Sequence, residues 1–358
     1  MSHFEQRLEA DLNSIREWVW KMGDNVELAL RNSKKALLTR DEKLAYATVL
    51  GDQPINRDSR ACDRMCHTFI ARYLPGAGHL REMAATIRVN IILERIGDYA
   101  VTISRESLQL QKNLPHHFIV QIDSLANDAL QILHESRTAF RSGNAELAKA
   151  QMLVAKRVES NMDAIYDQLF AEDNGLSART ALTVFVVFNT FKRVADQAKN
   201  ICDQTVYAIR GMGKKPKVFH ILFLARPGSV RGQLAVAIGR KYFPTAASYQ
   251  AATPQSSQPV SKALDEFLTE TGLPQEQLDT ENIVSLEYDL SEFDLIISLE
   301  GTAKEYVNKV PFHTSVLDWS PALDASAQEY PALYRTLHSE LSTLVHVLAG
   351  EEASSAAV

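Results

Sequence analysis

The feature that most constrains this chain is a change of grammar near residue 211. Before it, apolar residues recur at three- and four-residue spacing, the period of helices that bury one face. Helix-breaking Gly and Pro are scarce there and gather at Pro54, Pro75-Gly76-Ala77-Gly78, Pro115, Ser142-Gly143-Asn144 and Asn174-Gly175. This spacing predicts six long helices, near 4–37, 41–73, 79–112, 116–141, 144–171 and 177–210, with Pro54 kinking or breaking the second. Gly211-Met-Gly-Lys-Lys-Pro-Lys217 is a polar helix breaker. Beyond it, Val218–Leu224, Ile283–Tyr288 and Phe293–Leu299 are short β-rich runs. Between and after them, Leu234–Tyr242, Ser261–Thr271 and Tyr330–Leu348 look helical. Strands alternating with helices predict an α/β domain with a doubly wound parallel sheet. Ala246–Val260, rich in Ala, Ser, Gln and Pro, reads as a loop around one short edge strand, and 351–358 as a disordered tail.

Bulk composition narrows the partners. A formal net charge of −6 gives no basic field for nucleic acid. The strongest apolar run, Ala181–Phe188, is far shorter than the roughly 20 residues of a membrane span. Three cysteines, Cys62, Cys66 and Cys202, supply no disulfide framework and fit a reducing cytoplasm.

The helical half repeats with an offset of 98 residues. His79 to Ala100 superposes without a gap on Ser177 to Ala198, matching Arg81/Arg179, Arg95/Arg193, Asp98/Asp196 and Ala100/Ala198, and Ile103/Ile201 continues the register. Two copies of a three-helix bundle follow, at 1–113 and 114–212, with a linker at 213–217 and the α/β domain at 218–350.

Leu93-Glu-Arg-Ile-Gly-Asp-Tyr-Ala100, approached through Pro75 and His79-Leu-Arg81, resembles the signature of PhoU proteins, which regulate bacterial phosphate uptake and phosphate signalling. The resemblance covers residues 1–210, strongly in the first repeat and more weakly in the second. It implies a cytoplasmic regulator that docks on the ATPase subunit of a phosphate ABC transporter at the inner membrane face. It also implies a phosphate-responsive sensor histidine kinase as a second partner, and it leaves room for a homodimer.

Carboxylates on these helices are candidate metal ligands. Glu94 and Asp98 are four residues apart and share a helical face; Asp52 with Asn56, and Glu159 with Asp163, have the same spacing. Facing oxygen donors in a bundle can hold hard or borderline cations, and the resemblance implies divalent ions: Fe, Zn, Mn or Mg. Lys192 stands where Glu94 stands in the first repeat. An ammonium only donates, so any metal is expected in repeat 1, with a Lys192–Asp196 ion pair in repeat 2. The plainer reading is a solvated face on which Glu94 pairs with Arg95 or Arg88. Cys62 and Cys66 share a helical face, a spacing that suits core packing better than structural zinc.

In the α/β domain, Ile221-Leu-Phe-Leu-Ala-Arg-Pro-Gly-Ser-Val-Arg-Gly232 reads as a strand, a tight loop and a helix opened by Arg231. Such a turn is an anion cradle, because backbone N–H groups, the helix dipole and the guanidinium fork converge. Its oxyanion-binding candidates are Gly228, Ser229, Val230 and Arg231, with phosphate as the expected ligand. Ala225 to Arg231 has the Cys-x5-Arg spacing of low-molecular-weight protein tyrosine phosphatases and thioredoxin-coupled arsenate reductases, which residues 217–325 resemble. Ala225 replaces their attacking Cys, and a methyl group is no nucleophile. Gly232 stands where they place a Ser or Thr, Pro227 removes a backbone donor, and Ser320 in Asp318-Trp-Ser-Pro321 stands where the acidic Asp is expected.

Three readings follow. The favoured one is a phosphate-uptake regulator with a catalytically inactive, oxyanion-holding domain. The alternatives are an active phosphatase or arsenate reductase with a helical regulatory arm, and a metal-binding scaffold.

Overall fold

A computed structural model of the chain describes residues 3–160, 162–171, 175–211, 217–254, 259–276, 278–283, 290–311, 314–319 and 330–350. The side chains of 157, 159, 160 and 162–164 are outside that description. The chain divides into two compact units, 1–214 and 215–358.

The first unit is built from helices, with no strand among its described residues: α1 (His3–Thr39), α2 (Glu42–Leu50), α3 (Asp52–Tyr73), α4 (Ala77–Gln109), α5 (His116–Ser142), α6 (Ala145–Ser160), α7 (Met162–Phe170) and α8 (Ala178–Arg210). The expected second helix is two. Asp41 caps α2 by accepting the Leu44 N–H, and the chain turns at Gly51. Pro54 then falls in the first turn of α3, where its missing N–H costs nothing. Breaks expected from Gly are built as such: Gly143 ends α5 and Gly211 ends α8, both at positive φ.

One continuous apolar core runs through both repeats, from Leu12 and Phe69 to Phe118, Phe188 and Ile201. The repeats are also joined by charge. Arg137 on α5 reaches through α1, donating to Glu27, to Asp24 at 2.6 Å and to the Trp20 carbonyl at 2.9 Å. It can pass because residue 23 is Gly; a Cβ there would collide with the guanidinium.

The second unit is a five-stranded parallel sheet in the order β3-β2-β1-β4-β5, with β1 (Phe219–Leu224), β2 (Ala247–Thr253), β3 (Glu281–Asn282), β4 (Leu295–Ser298) and β5 (Ser315–Asp318). Its helices are α9 (Arg231–Tyr242), α10 (Lys262–Thr271) and α11 (Tyr330–Ala349). Alternation along β1 serves both faces, as a sheet covered on each side requires. Ile221 and Phe223 pack with Leu234, Leu264 and Leu337, whereas Leu222 and Leu224 pack with Phe293, Ile296 and Val307.

The all-α and α/β expectations hold, with local corrections. Ala246–Val260 is no loop around an edge strand: β2 is seven residues long and pairs on both sides, with β1 and β3. A strand, β5, stands where none was expected. Most of the expected Ile283–Tyr288 strand, the tail at 351–358 and most of the linker lie outside the described residues. Among the described residues, no helix is long and apolar enough to cross a membrane.

Candidate functional site

In the helical unit the structure brings Asp52, Asn56, Glu94 and Asp98 to one place. Asp52 opens α3, where the helix dipole favours a carboxylate. Glu94 and Asp98 lie one turn apart on α4, and Gly97 sits between them. An ideal Cβ on Gly97 would stand 3.3 Å from Ile55 Cγ2 and 3.7 Å from Asp52 Oδ1. The bare backbone at Gly97 therefore lets α3 come close enough to lay Asp52 against the α4 acids.

The electrostatics follow from that approach. The Glu94 carboxyl is held above its usual range by desolvation, then by Asp98 and Asp52, with Arg95 opposing. Asp98 is raised by desolvation and by Asp52. Asn56 Nδ2 donates to Asp52 Oδ2 at 2.6 Å. Asp52 Oδ1 and Asn56 Oδ1 are buried with no hydrogen-bond partner. Two orphaned oxygens beside neighbouring carboxylates are donors of the kind that suit hard or borderline cations. They are not a closed cage, since among the described residues no three His, Cys, Asp or Glu side chains converge at ligating distance. Mutual repulsion acts over a longer range than coordination, so both observations stand together.

The second repeat differs as its sequence predicts. Lys192 Nζ lies 2.9 Å from Asp196 Oδ2, neutralising the position that Glu94 and Asp98 leave acidic. The Glu159 and Asp163 side chains lie outside the described residues. Cys62 and Cys66 are buried core thiols; a hydrogen bond from the Cys66 thiol to Cys62, followed by burial, pushes Cys66 far above the ordinary thiol range.

In the α/β unit, β1 delivers Ala225 fully buried to the start of the loop, and its N–H donates to the Ala252 carbonyl at 3.2 Å. Central β1 is flanked by β2 and β4, so the loop opens at the strand ends where the sheet order reverses, the usual place for a ligand in such sheets. Gly228 takes φ +83° with open space at its Cβ position. Gly232 has the opposite reason to be Gly: a Cβ would stand 3.0 Å from Ala251 Cβ and 3.7 Å from Ala225 Cβ, so α9 lies too close to the sheet for a hydroxyl-bearing side chain without a shift.

The cradle's donors are largely answered from within. Ser229 N–H donates to the Arg226 carbonyl at 3.0 Å, and Arg231 N–H to Ser229 Oγ at 3.4 Å. The Arg226 N–H donates to Glu300 Oε2 at 2.9 Å, while Glu300 Oε1 lies 3.4 Å from Arg231 Nη1. The Arg231 side chain is only 8% exposed and also donates to the Leu299 carbonyl at 3.4 Å. Its Nε is buried without a partner. Glu300, which no sequence argument singled out as a partner, thus ties the guanidinium to the loop. Asp318 caps the short turn at Ala303, accepting that N–H at 3.0 Å. Ser320 lies outside the described residues.

With this geometry in place, comparison with known proteins sorts the two units. The PhoU domain family matches residues 19–107 and 122–205, the two repeats. The phosphate-specific transport system accessory protein PhoU of Edwardsiella tarda is 30% identical over 211 residues, 58% of this chain and 87% of that protein. The crystal structure of PhoU from Pseudomonas aeruginosa superposes with TM-score 0.55 at 26% identity, covering 57% of this chain and 99% of that one. An arsenate reductase in the phosphate binding state covers 37% of this chain at 14% identity, but its TM-score of 0.31 adds nothing to the sheet topology described above. Through its helical unit, the chain belongs to the PhoU family.

Proposed function

We propose that the protein is a regulator of phosphate uptake and phosphate-dependent signalling that works by docking, with a C-terminal domain that performs no catalysis. The observation that carries the first part is the family match across both repeats, whose relatives are accessory proteins of phosphate-specific transport. Its partners on this reading are the ATPase subunit of a phosphate transporter and a phosphate-responsive sensor histidine kinase, met in the cytoplasm. A ligand that binds one conformation better than another would shift the chain between those partners.

Ala225 carries the second part: the position from which a thiolate would attack holds a buried methyl group. What remains is Arg231 and a loop in which Gly228, Ser229 and Val230 surround an anion-sized turn. Phosphate or a related oxyanion held there competes with the Glu300 carboxylate, which already engages Arg231 and the Arg226 N–H. Calorimetric titration of phosphate and arsenate into the full chain tests this. Binding that is lost in Arg231→Ala and strengthened in Glu300→Gln supports the reading. Heatless titrations of both wild type and Glu300→Gln at millimolar ligand would remove the sensor role. Hydrolysis of p-nitrophenyl phosphate that vanished in Arg231→Ala would replace it with an enzyme.

The acidic cluster of repeat 1 fits a divalent metal ion by its donors. Asp52 and Asn56 would supply the orphaned oxygens, and Glu94 and Asp98 would supply carboxylates that lose their mutual repulsion on binding. Such an ion would brace α3 against α4. Metal analysis after anaerobic purification with Fe²⁺ or Zn²⁺ checks it, and absence of bound metal would discard the site.

A further inference from the structure

We propose that one end of the helical unit is a binding site for a small organic anion with an apolar body, separate from both the acidic cluster and the α/β loop. Helices α1, α4, α5 and α8 line an open cleft of about 820 Å³ there. That is the size of pockets that take drug-sized ligands, roughly 300–1,000 Å³. Val19, Val89, Leu93 and Phe140 give it an apolar floor.

Its lining is cationic in a specific way. Four arginines line it. Three are answered by carboxylates: Arg16 by Glu82 at 2.6 and 3.0 Å, Arg141 by Glu17 at 3.0 Å, and Arg137 by Asp24 and Glu27. Arg81 is not. No acceptor among the described residues meets its guanidinium, and its Nε is buried without a partner. Its repeat mate Arg179 shows the contrast, donating to Gln109 Oε1 at 2.6 Å. A buried guanidinium nitrogen left unpaired carries a desolvation cost that an incoming anion removes.

A second donor set faces the same space. Helix α4 is 33 residues long and its N-cap is Gly76, which gives no side-chain cap. Ideal Cβ atoms on Gly76 and Gly78 would meet nothing within 4 Å. The first-turn amides of α4 are therefore bare and open beside Arg81, the arrangement that receives one anionic group. One unanswered cation above an apolar floor defines the ligand: a single carboxylate or phosphate-ester head on a body large enough to fill the cavity.

The test uses the full-length chain and anilinonaphthalene sulfonate, an aromatic monoanion, with emission sensitised by Trp20, which lines the cavity. Saturable binding is expected, weakened about tenfold by Arg81→Ala through loss of a charge-assisted bond. Ala208→Trp, which fills the cavity, should abolish it, and Arg88→Ala outside the cavity should leave it unchanged. Should Ala208→Trp misfold by circular dichroism, Arg81→Ala decides alone. Displacement by adenosine monophosphate would name phosphate esters as the class, and displacement by decanoate would name carboxylates. Absence of saturable binding, equal affinity in Arg81→Ala, or displacement by neither competitor would overturn the site.

Discussion

The two helical repeats put the same long helix to opposite electrostatic use. Helices α4 and α8 are each 33 residues long and share a register, yet one side chain inverts the chemistry. With Glu at position 94, the first repeat gathers Glu94 and Asp98, whose proton affinity is raised by burial and then by neighbouring carboxylates, beside two unsatisfied oxygens. With Lys at position 192, the second repeat closes an ion pair within one turn and asks for nothing. The lesson is that a repeated frame fixes where a site can be, while a single charge decides whether there is a site.

Three experiments would break or sharpen this contrast. The largest effect should come from where the repeats interlock. Arg137→Ala leaves Glu27 buried without its guanidinium and should cost about 3–5 kcal/mol in urea unfolding. A loss under about 1 kcal/mol would mean that the apolar core alone joins the repeats.

Next, adding Zn²⁺ or Fe²⁺ to metal-free protein should raise its melting temperature, by an amount equivalent to about 2.7 kcal/mol at a hundredfold excess over the dissociation constant. Glu94→Lys, which copies repeat 2 into repeat 1, should abolish the response. An undiminished response in that variant would place the ion elsewhere and dissolve the contrast.

The smallest effect concerns protons. The folded-state affinities of Glu94 and Asp98 are raised, so their stabilising contribution is complete below the unfolded carboxyl values near pH 4 and is lost as pH rises through the raised native values. Metal-free wild type should thus gain stability on acidification from neutral pH relative to the Glu94→Gln/Asp98→Asn double variant. Both groups touch solvent, so the gain should stay under about 1 kcal/mol. A gain with the opposite sign in paired thermal melts would show that the cluster is already neutralised.

Legibility from the residues differed between the units. Helix limits in the first are readable because Gly and Pro punctuate them, and only the turn at Gly51, three residues before Pro54, is set by the fold instead. In the second unit β2 was hidden by its own packing: Ala247, Ala251 and Ala252 look like loop composition, yet Ala251 is small because α9 lies against it at Gly232. Strand β5 was hidden because its four residues are all exposed and show no alternation. At the candidate sites, the four-residue spacings placed Glu94 with Asp98 and Asp52 with Asn56, but their meeting across α3 and α4 is a tertiary fact. The pairing of Arg231 with Glu300 crosses 69 positions of sequence and carries no local signal.

Gly97 ties mechanics to chemistry in the first repeat. The absence of one carbon there sets both the spacing of α3 from α4 and the distance of Asp52 from the α4 acids. A side chain added at that position presses on Ile55 and Asp52 together, so the helix spacing and the carboxylate spacing cannot be changed separately there. Crowding or relief on the acidic face is therefore felt in the α3–α4 seam itself, because the same bare backbone position sets both.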